Sequence, residues 1–300
     1  MYKHFLTLPG WTILLTTSGG LLALVALLLS RSSLPASSHV NTSAPQAELG
    51  VASLQSELGP RHQLTYEQWV DLLQREARVT ADQRPKGLTI LAGDSLSLWF
   101  PHELLPVGLT WLNQGISGET SYGLLRRLKL FDATRPDTIF VMIGINDLIR
   151  GVREETLLAN QREIVRHLKT AHPRAQIVMQ SILPHGGKPL LDEQYRRAVQ
   201  QNHQPPPWVD RLYVIPNDYI RELNQRLAAI AREEKVKYLD LHAHFINKKG
   251  DMRSNLTTDG LHLSLQGYEL WRSQLEAFLK AEVNPLTPHL TTPLPTGMFE

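Results

Sequence analysis

From Leu88 onward the chain alternates short, continuous apolar runs with longer stretches in which apolar residues recur every three or four positions. The first pattern predicts strands covered on both faces, the second amphipathic helices. Strands are expected at Leu88–Ala92, Thr110–Asn113, Thr138–Ile143, Gln176–Ser181 and Lys237–Leu241. Helices are expected at Ser121–Leu130, Glu154–Ala171, Pro216–Lys235 and Ser264–Ala281. Strand–helix alternation of this kind argues for an α/β fold built on a parallel sheet with right-handed crossovers. Ahead of it, Thr65-Tyr66-Glu67-Gln68 is a capping-box pattern. It opens a helix through about Ala77 with Trp69, Leu72 and Leu73 on one face, placed to pack on the domain edge.

The N-terminal pattern is of another kind. Trp11 to Ser30 carries no charged residue, and Leu21 to Leu29 is almost wholly aliphatic. A helix of that length, rising about 1.5 Å per residue, crosses roughly 30 Å, the thickness of a bilayer core. Residues 1–30 therefore read as an N-terminal signal anchor, with a cleavable signal peptide as the rival, for which Ala36-Ser37-Ser38 offers small residues. Either reading puts the main domain outside the cytoplasm: tethered to the membrane through residues 11–30, or secreted or periplasmic after cleavage. Residues 31–62, rich in Ser, Ala, Pro and Gln, read as a flexible linker. A helical lead-in at 63–85, the main domain at 86–282 and a disordered, Pro-rich tail at 283–300 follow. Within the domain, Gly186 to Tyr213 contains Gln204-Pro205-Pro206-Pro207-Trp208 and reads as a rim loop that gates a site or as a plain surface insertion.

Composition narrows the chemistry. The 300 residues are 42% hydrophobic and 20% charged, with a net charge of +2, which fits an ordinary globular core. No basic stripe is interleaved with aromatics, so nucleic acid is not an expected partner. The absence of cysteine removes disulfides, thiolate catalysis and cysteine–zinc sites. His242-Ala243-His244 has no carboxylate at ligand spacing beside it, so structural or surface histidines are expected rather than a metal pair. No phosphate-cradling glycine loop is present.

In open parallel sheets, sites gather at the carboxyl ends of the strands. Ser95 follows the first strand in Gly93-Asp94-Ser95-Leu96, Gly115 follows the second, and Asn146 follows the third. Asp259 and His262 lie between the last strand and the last helix. Each has an ordinary alternative: a turn glycine, an Asx turn, a structural histidine. Together, and in this order, they point to acyl transfer. Ser95 is the candidate nucleophile, His262 its base, and Asp259 the carboxylate that holds Nδ1–H and stabilises the imidazolium. The N–H groups of Ser95 and Gly115 and the side-chain amide of Asn146 are the candidate oxyanion donors. Trp99, Phe100 and Trp111 either wall an acyl pocket or pack in the core. Ser117 and Ser121 read as turn and helix-cap residues.

Four blocks carry a resemblance: Ala92-Gly93-Asp94-Ser95-Leu96, Asn113-Gln114-Gly115-Ile116-Ser117-Gly118, Gly144-Ile145-Asn146-Asp147 and Asp259-Gly260-Leu261-His262. The chain resembles the SGNH hydrolases, or GDSL esterase/lipase family, over roughly residues 86 to 281. Ile182-Leu183-Pro184, and Leu263-Ser264 with Gly267-Tyr268, look most like the branch of platelet-activating-factor acetylhydrolase subunits. The resemblance implies a three-layer α/β/α, flavodoxin-like domain with a five-stranded parallel sheet. It implies the roles given above for Ser95, Gly115, Asn146, Asp259 and His262, with no cofactor and no metal. The expected activity is hydrolysis of a small-molecule, lipid or glycan acyl ester. The alternatives are an acyltransferase using the same acyl-enzyme and a non-catalytic envelope binding protein on an esterase scaffold.

Overall fold

The computed structural model describes residues 64–283. The expected anchor at 11–30, the linker and the tail lie outside the described residues. Among the described residues no helix is long and apolar enough to cross a membrane.

The first element is helix α1, Tyr66–Gln83. Its capping box forms as expected: Thr65 Oγ1 accepts from the Gln68 N–H, and Gln68 Oε1 accepts from the Thr65 N–H at 2.8 Å. The helix runs past the expected Ala77 end and stops at Arg84, whose backbone is left-handed.

Strands β1 (Leu88–Gly93), β2 (Thr110–Gly115), β3 (Thr138–Met142), β4 (Gln176–Gln180) and β5 (Lys237–Leu239) form one parallel sheet in the order β2-β1-β3-β4-β5. β1 and β3 are buried along their whole length, which explains their unbroken apolar runs. Neighbours in sequence point to opposite faces. Ile90, Ile139 and Ile177 pack with Leu124 of α3 (Ser121–Arg127) and with Ile164 and Leu168 of α5 (Glu154–Ala171). Leu91, Phe140 and Val178 pack on the other face with Trp271 and Leu275 of the last helix. Helices thus cover both faces of the sheet.

The chain reverses its direction of travel across the sheet between β1 and β3, the switch point where open α/β sheets hold their ligands. Two one-turn helices start there: α2 (Ser95–Leu98) after β1 and α4 (Ile145–Ile149) after β3.

The segment Gly186 to Tyr213 is not one long loop. It folds as α6 (Gly187–Gln200) and α7 (Pro207–Tyr213), with Leu191, Val209 and Leu212 buried against α8 (Asn217–Glu233). α9 (His242–Phe245) follows β5, and α10 (Leu265–Val283) closes the fold.

Candidate active site

Asp94 caps α2, its side chain accepting from the Leu96 N–H at 3.0 Å, and this turns Ser95 onto the carboxyl rim of the sheet. Three distant groups brace the turn. Arg127 Nη2 donates to the Gly93 carbonyl at 3.0 Å, Asn113 Nδ2 donates to Ser97 O at 2.6 Å, and Tyr268 Oη donates to Leu96 O at 3.1 Å. Tyr268 belongs to α10, so its bond ties α2 to the segment that carries His262.

His262 sits in the turn before α10 and is built locally. Asp259 Oδ1 accepts from the N–H groups of Leu261 and His262 at 2.9 and 2.7 Å, and Asp259 Oδ2 meets His262 Nδ1 at 2.7 Å. Burial pushes the Asp259 carboxyl up, but the bonds from the His262 ring and from the two backbone N–H groups outweigh it and hold it below the ordinary aspartate value. With Nδ1 occupied, Nε2 is the ring nitrogen left to face a substrate. The imidazole lies between two indoles. Trp99, at the end of α2, is 4.5 Å away between ring centroids, and Trp208 of α7 stands edge-on at 6.2 Å. The structure therefore brings the Ser95 helix and the Asp259–His262 pair to one place. Neither Ser95 Oγ nor His262 Nε2 has a hydrogen-bond partner among the described residues.

Asn146 opens toward the same rim from α4. Its Nδ2 donates to Asp94 Oδ2 at 3.3 Å, which fixes the amide and leaves a second N–H. Burial pushes the Asp94 carboxyl up to about 7, only partly opposed by the Leu96 N–H and the His262 charge.

Gly115 does not occupy the place expected of an oxyanion donor. β2 runs two residues further than its apolar run, so Gly115 is inside the strand, paired with Gly93. Its N–H donates to Asn113 Oδ1 at 2.9 Å, and a Cβ there would lie 2.4 Å from Leu98 N, so nothing can approach that face. The rim position falls to Gly118, at φ +72°, which only glycine adopts without strain. Its carbonyl accepts from Arg150 Nη2 at 2.7 Å, and its N–H makes no hydrogen bond among the described residues. A glycine between Ser117 and Glu119, just past a strand, was the available signal; ending the strand at Asn113 hid it.

Beneath the rim, Arg127 Nε and Glu119 Oε2 form an ion pair at 2.8 Å, nearly sealed from solvent. Tyr66 of α1 donates to the same Glu119 oxygen at 3.4 Å. Asp147 accepts from the N–H and hydroxyl of Ser121, at 2.8 and 2.5 Å, and so locks α4 to α3. Ser121 is the first residue of α3, and Thr120 is its cap. Of the three aromatics first considered as pocket walls, only Trp99 meets the site. Phe100 packs on Tyr268 and Trp271, and Trp111 stacks on Phe140.

This arrangement of sheet, switch point and serine turn matches a known family. The chain belongs to the GDSL-like lipase/acylhydrolase family, whose pattern it matches over residues 80–270. It is 25% identical over 190 residues to N-acylneuraminate cytidylyltransferase of Streptococcus agalactiae, covering 63% of this chain and 38% of that protein. It is 26% identical over 171 residues to the isoamyl acetate-hydrolyzing esterase of Saccharomyces cerevisiae, covering 55% of this chain and 66% of that enzyme. The chain thus spans well under half of the cytidylyltransferase. In structure, a candidate platelet activating factor from Streptococcus pneumonia superposes with a TM-score of 0.59 at 24% identity, over 77% of this chain and 99% of that one.

Proposed function

We propose that the protein is a serine ester hydrolase acting on small acyl esters. One observation carries this reading: Trp99 and Tyr268 dock the helix that begins with Ser95 onto the turn in which Asp259 holds His262 Nδ1 at 2.7 Å. The family supports it, and the ester in the yeast relative's name, isoamyl acetate, belongs to the proposed substrate class.

The reaction runs in two halves. Ser95 Oγ attacks the ester carbonyl carbon while its proton passes to His262 Nε2. The carbonyl oxygen becomes an oxyanion, received by the Ser95 and Gly118 N–H groups and the free N–H of Asn146. Collapse breaks the bond to the alcohol oxygen, which takes the proton from Nε2 and leaves. Water then attacks the acyl-serine, gives its proton to Nε2, and Ser95 regains it as the carboxylic acid departs. Asp259 holds the tautomer throughout and stabilises the imidazolium. The Ser95–His262 bond, not formed here, closes as substrate enters. The reading includes a domain held outside the cytoplasm by the apolar segment 11–30, which protease access in intact cells would test.

Turnover of p-nitrophenyl acetate and longer acyl esters, together with labelling by a fluorophosphonate, tests the chemistry. Both are expected, and both are lost in Ser95→Ala. A folded protein with no turnover and no label overturns the reading.

A further inference from the structure

Beside Asn146 opens a cleft of about 540 Å³ lined by Asn146, Ile149, Arg150, Pro207, Trp208 and Arg211. Trp208, which lines this cleft, also stands edge-on to the His262 ring at 6.2 Å between centroids. The cleft lining holds two guanidinium groups, from Arg150 just past α4 and from Arg211 of α7, and no carboxylate. Arg150 is fixed by its bond to the Gly118 carbonyl, and the Arg211 side chain has no hydrogen-bond or ion-pair partner among the described residues. Arg162, Arg166, Arg197, Arg221, Arg226 and Arg272 each face a carboxylate, whereas Arg211, like Arg75, Arg135 and Arg174, faces none among the described residues; what sets Arg211 apart is its place beside Arg150 in a cleft. A second basic cleft, at the amino ends of β4 and β5, has Lys169 and Lys237 paired with Glu234 and Glu282, while its third lysine, Lys235, faces no carboxylate among the described residues. Hydrolysis of a neutral ester requires no positive charge at the mouth of the site. A guanidinium fork is matched to the oxygens of a carboxylate or phosphate, and an indole face beside it suits the carbon frame that bears the anion.

We propose that Arg150 and Arg211 form a subsite for an anionic group, carboxylate or phosphate, carried by the ester substrate, with Trp208 as its wall. The inference rests on the ester-hydrolase reading and names the class of ester. The subsite selects substrates that bring their own negative charge to the rim, and Arg150 couples that charge to the Gly118 loop.

The test compares kcat/KM for 4-acetoxybenzoate, its neutral methyl ester and 4-acetoxyphenyl phosphate. An anionic ester is expected to exceed the neutral one by about tenfold or more, mainly through KM. The ratio falls toward one in Arg211→Gln and in about 0.5 M salt. Whichever anion is preferred identifies the group. A readout free of turnover accompanies it: quenching of tryptophan fluorescence by 4-hydroxybenzoate or phenyl phosphate, weakened about tenfold in Arg211→Gln. Quenching that depends on Arg211 without cleavage of any ester upholds the subsite and overturns the hydrolase reading. Cleavage without preference between anionic and neutral esters, and without Arg211-dependent quenching, overturns the subsite and leaves the hydrolase reading standing.

Discussion

Asp94 and Asp259 flank the proposed nucleophile and base, and burial acts on both, yet their carboxyls move in opposite directions. Asp94 is 1% exposed, receives one backbone N–H and an amide at 3.3 Å, and is pushed up to about 7. Asp259 receives two backbone N–H groups and the His262 ring, all within 2.9 Å, and lies below the ordinary value. Deeper burial prevails over the few donors at Asp94, and the closer and more numerous donors prevail over a shallower burial at Asp259. The contrast extends to the regions around them. The nucleophile turn is held from far away in sequence, by Arg127, Asn113 and Tyr268. The base turn is held from within, by Asp259 and by Thr257, whose hydroxyl donates to His262 O at 2.7 Å and accepts from the Gly260 N–H at 2.8 Å. A long-range brace makes the position of Ser95 a property of the whole fold, whereas a local turn leaves the base open to change without unfolding the domain.

That difference can be broken in four places. The largest effect is expected from Asp259→Asn. The remaining carbonyl oxygen can still accept from the loop N–H groups, but an amide now faces Nδ1, so kcat/KM is expected to fall about 10³–10⁴-fold. The urea midpoint is expected to move little; a fall in activity below tenfold would remove Asp259 from the proposed role. Next is Arg127→Met, which strands Glu119 in a buried site with only Tyr66 and Thr120 to face it. It is expected to cost about 3–5 kcal/mol in denaturant titration, with part regained in the double variant Arg127→Met, Glu119→Gln. A cost under about 1 kcal/mol would show that the nucleophile turn does not depend on its distant brace.

The third is a pH dependence. Native Asp94 keeps its proton up to about 7, where an unfolded aspartate has already released its own. This group therefore contributes stability that is complete in acid and is lost as pH rises through about 7. Asp259 has the opposite sign: its contribution is complete above the ordinary aspartate range and is lost as pH falls through its lowered value. From about pH 4 to about pH 7 the wild-type chain is expected to lose stability relative to Asp94→Asn, by at most about 1.4 kcal/mol per unit, with the curves running parallel above that. Parallel curves for the two proteins in urea across that lower range would contradict the assignment. The smallest effect is expected from Tyr268→Phe, which removes only the hydroxyl on Leu96 O. It is expected to cost about 1 kcal/mol of stability, and a much larger loss would mean that packing rather than the hydrogen bond places α10.

The regular parts of this fold were readable because their burial is regular. Glu154–Ala171 is a helix over the span its periodicity predicts, and the starts of all five strands fall where the apolar runs begin. The ends of strands were not readable. Asn113, Gln114 and Gly115 are not an apolar run, yet they continue β2 because Gly115 lies across from Gly93 and because Asn113 and Gln114 bond to Ser97 O and Leu73 O. Ile116 and Ser117, past the end of β2, separate Gly115 from the rim position that Gly118 takes. The helices of 187–213 were hidden by Pro189 and Pro207, which suggest breaks. In fact they stand in first turns, where a missing N–H costs nothing. The serine, asparagine, aspartate and histidine could be picked out because chemistry restricts their types. Arg150, Trp208 and Arg211 could not, since only folding brings α4 and α7 to one cleft.

α1 sets the size of the unit that can stand alone. Most of it precedes the span that matches the family pattern, yet Trp69 and Leu73 cover Ile116, Gln114 Nε2 donates to Leu73 O at 3.3 Å, and Tyr66 reaches Glu119. A chain trimmed to the family pattern would open the floor under the 113–119 segment to water and leave the buried ion pair with an exposed side. The rim of the candidate site thus has its foundation in residues that the shared pattern of its relatives does not include.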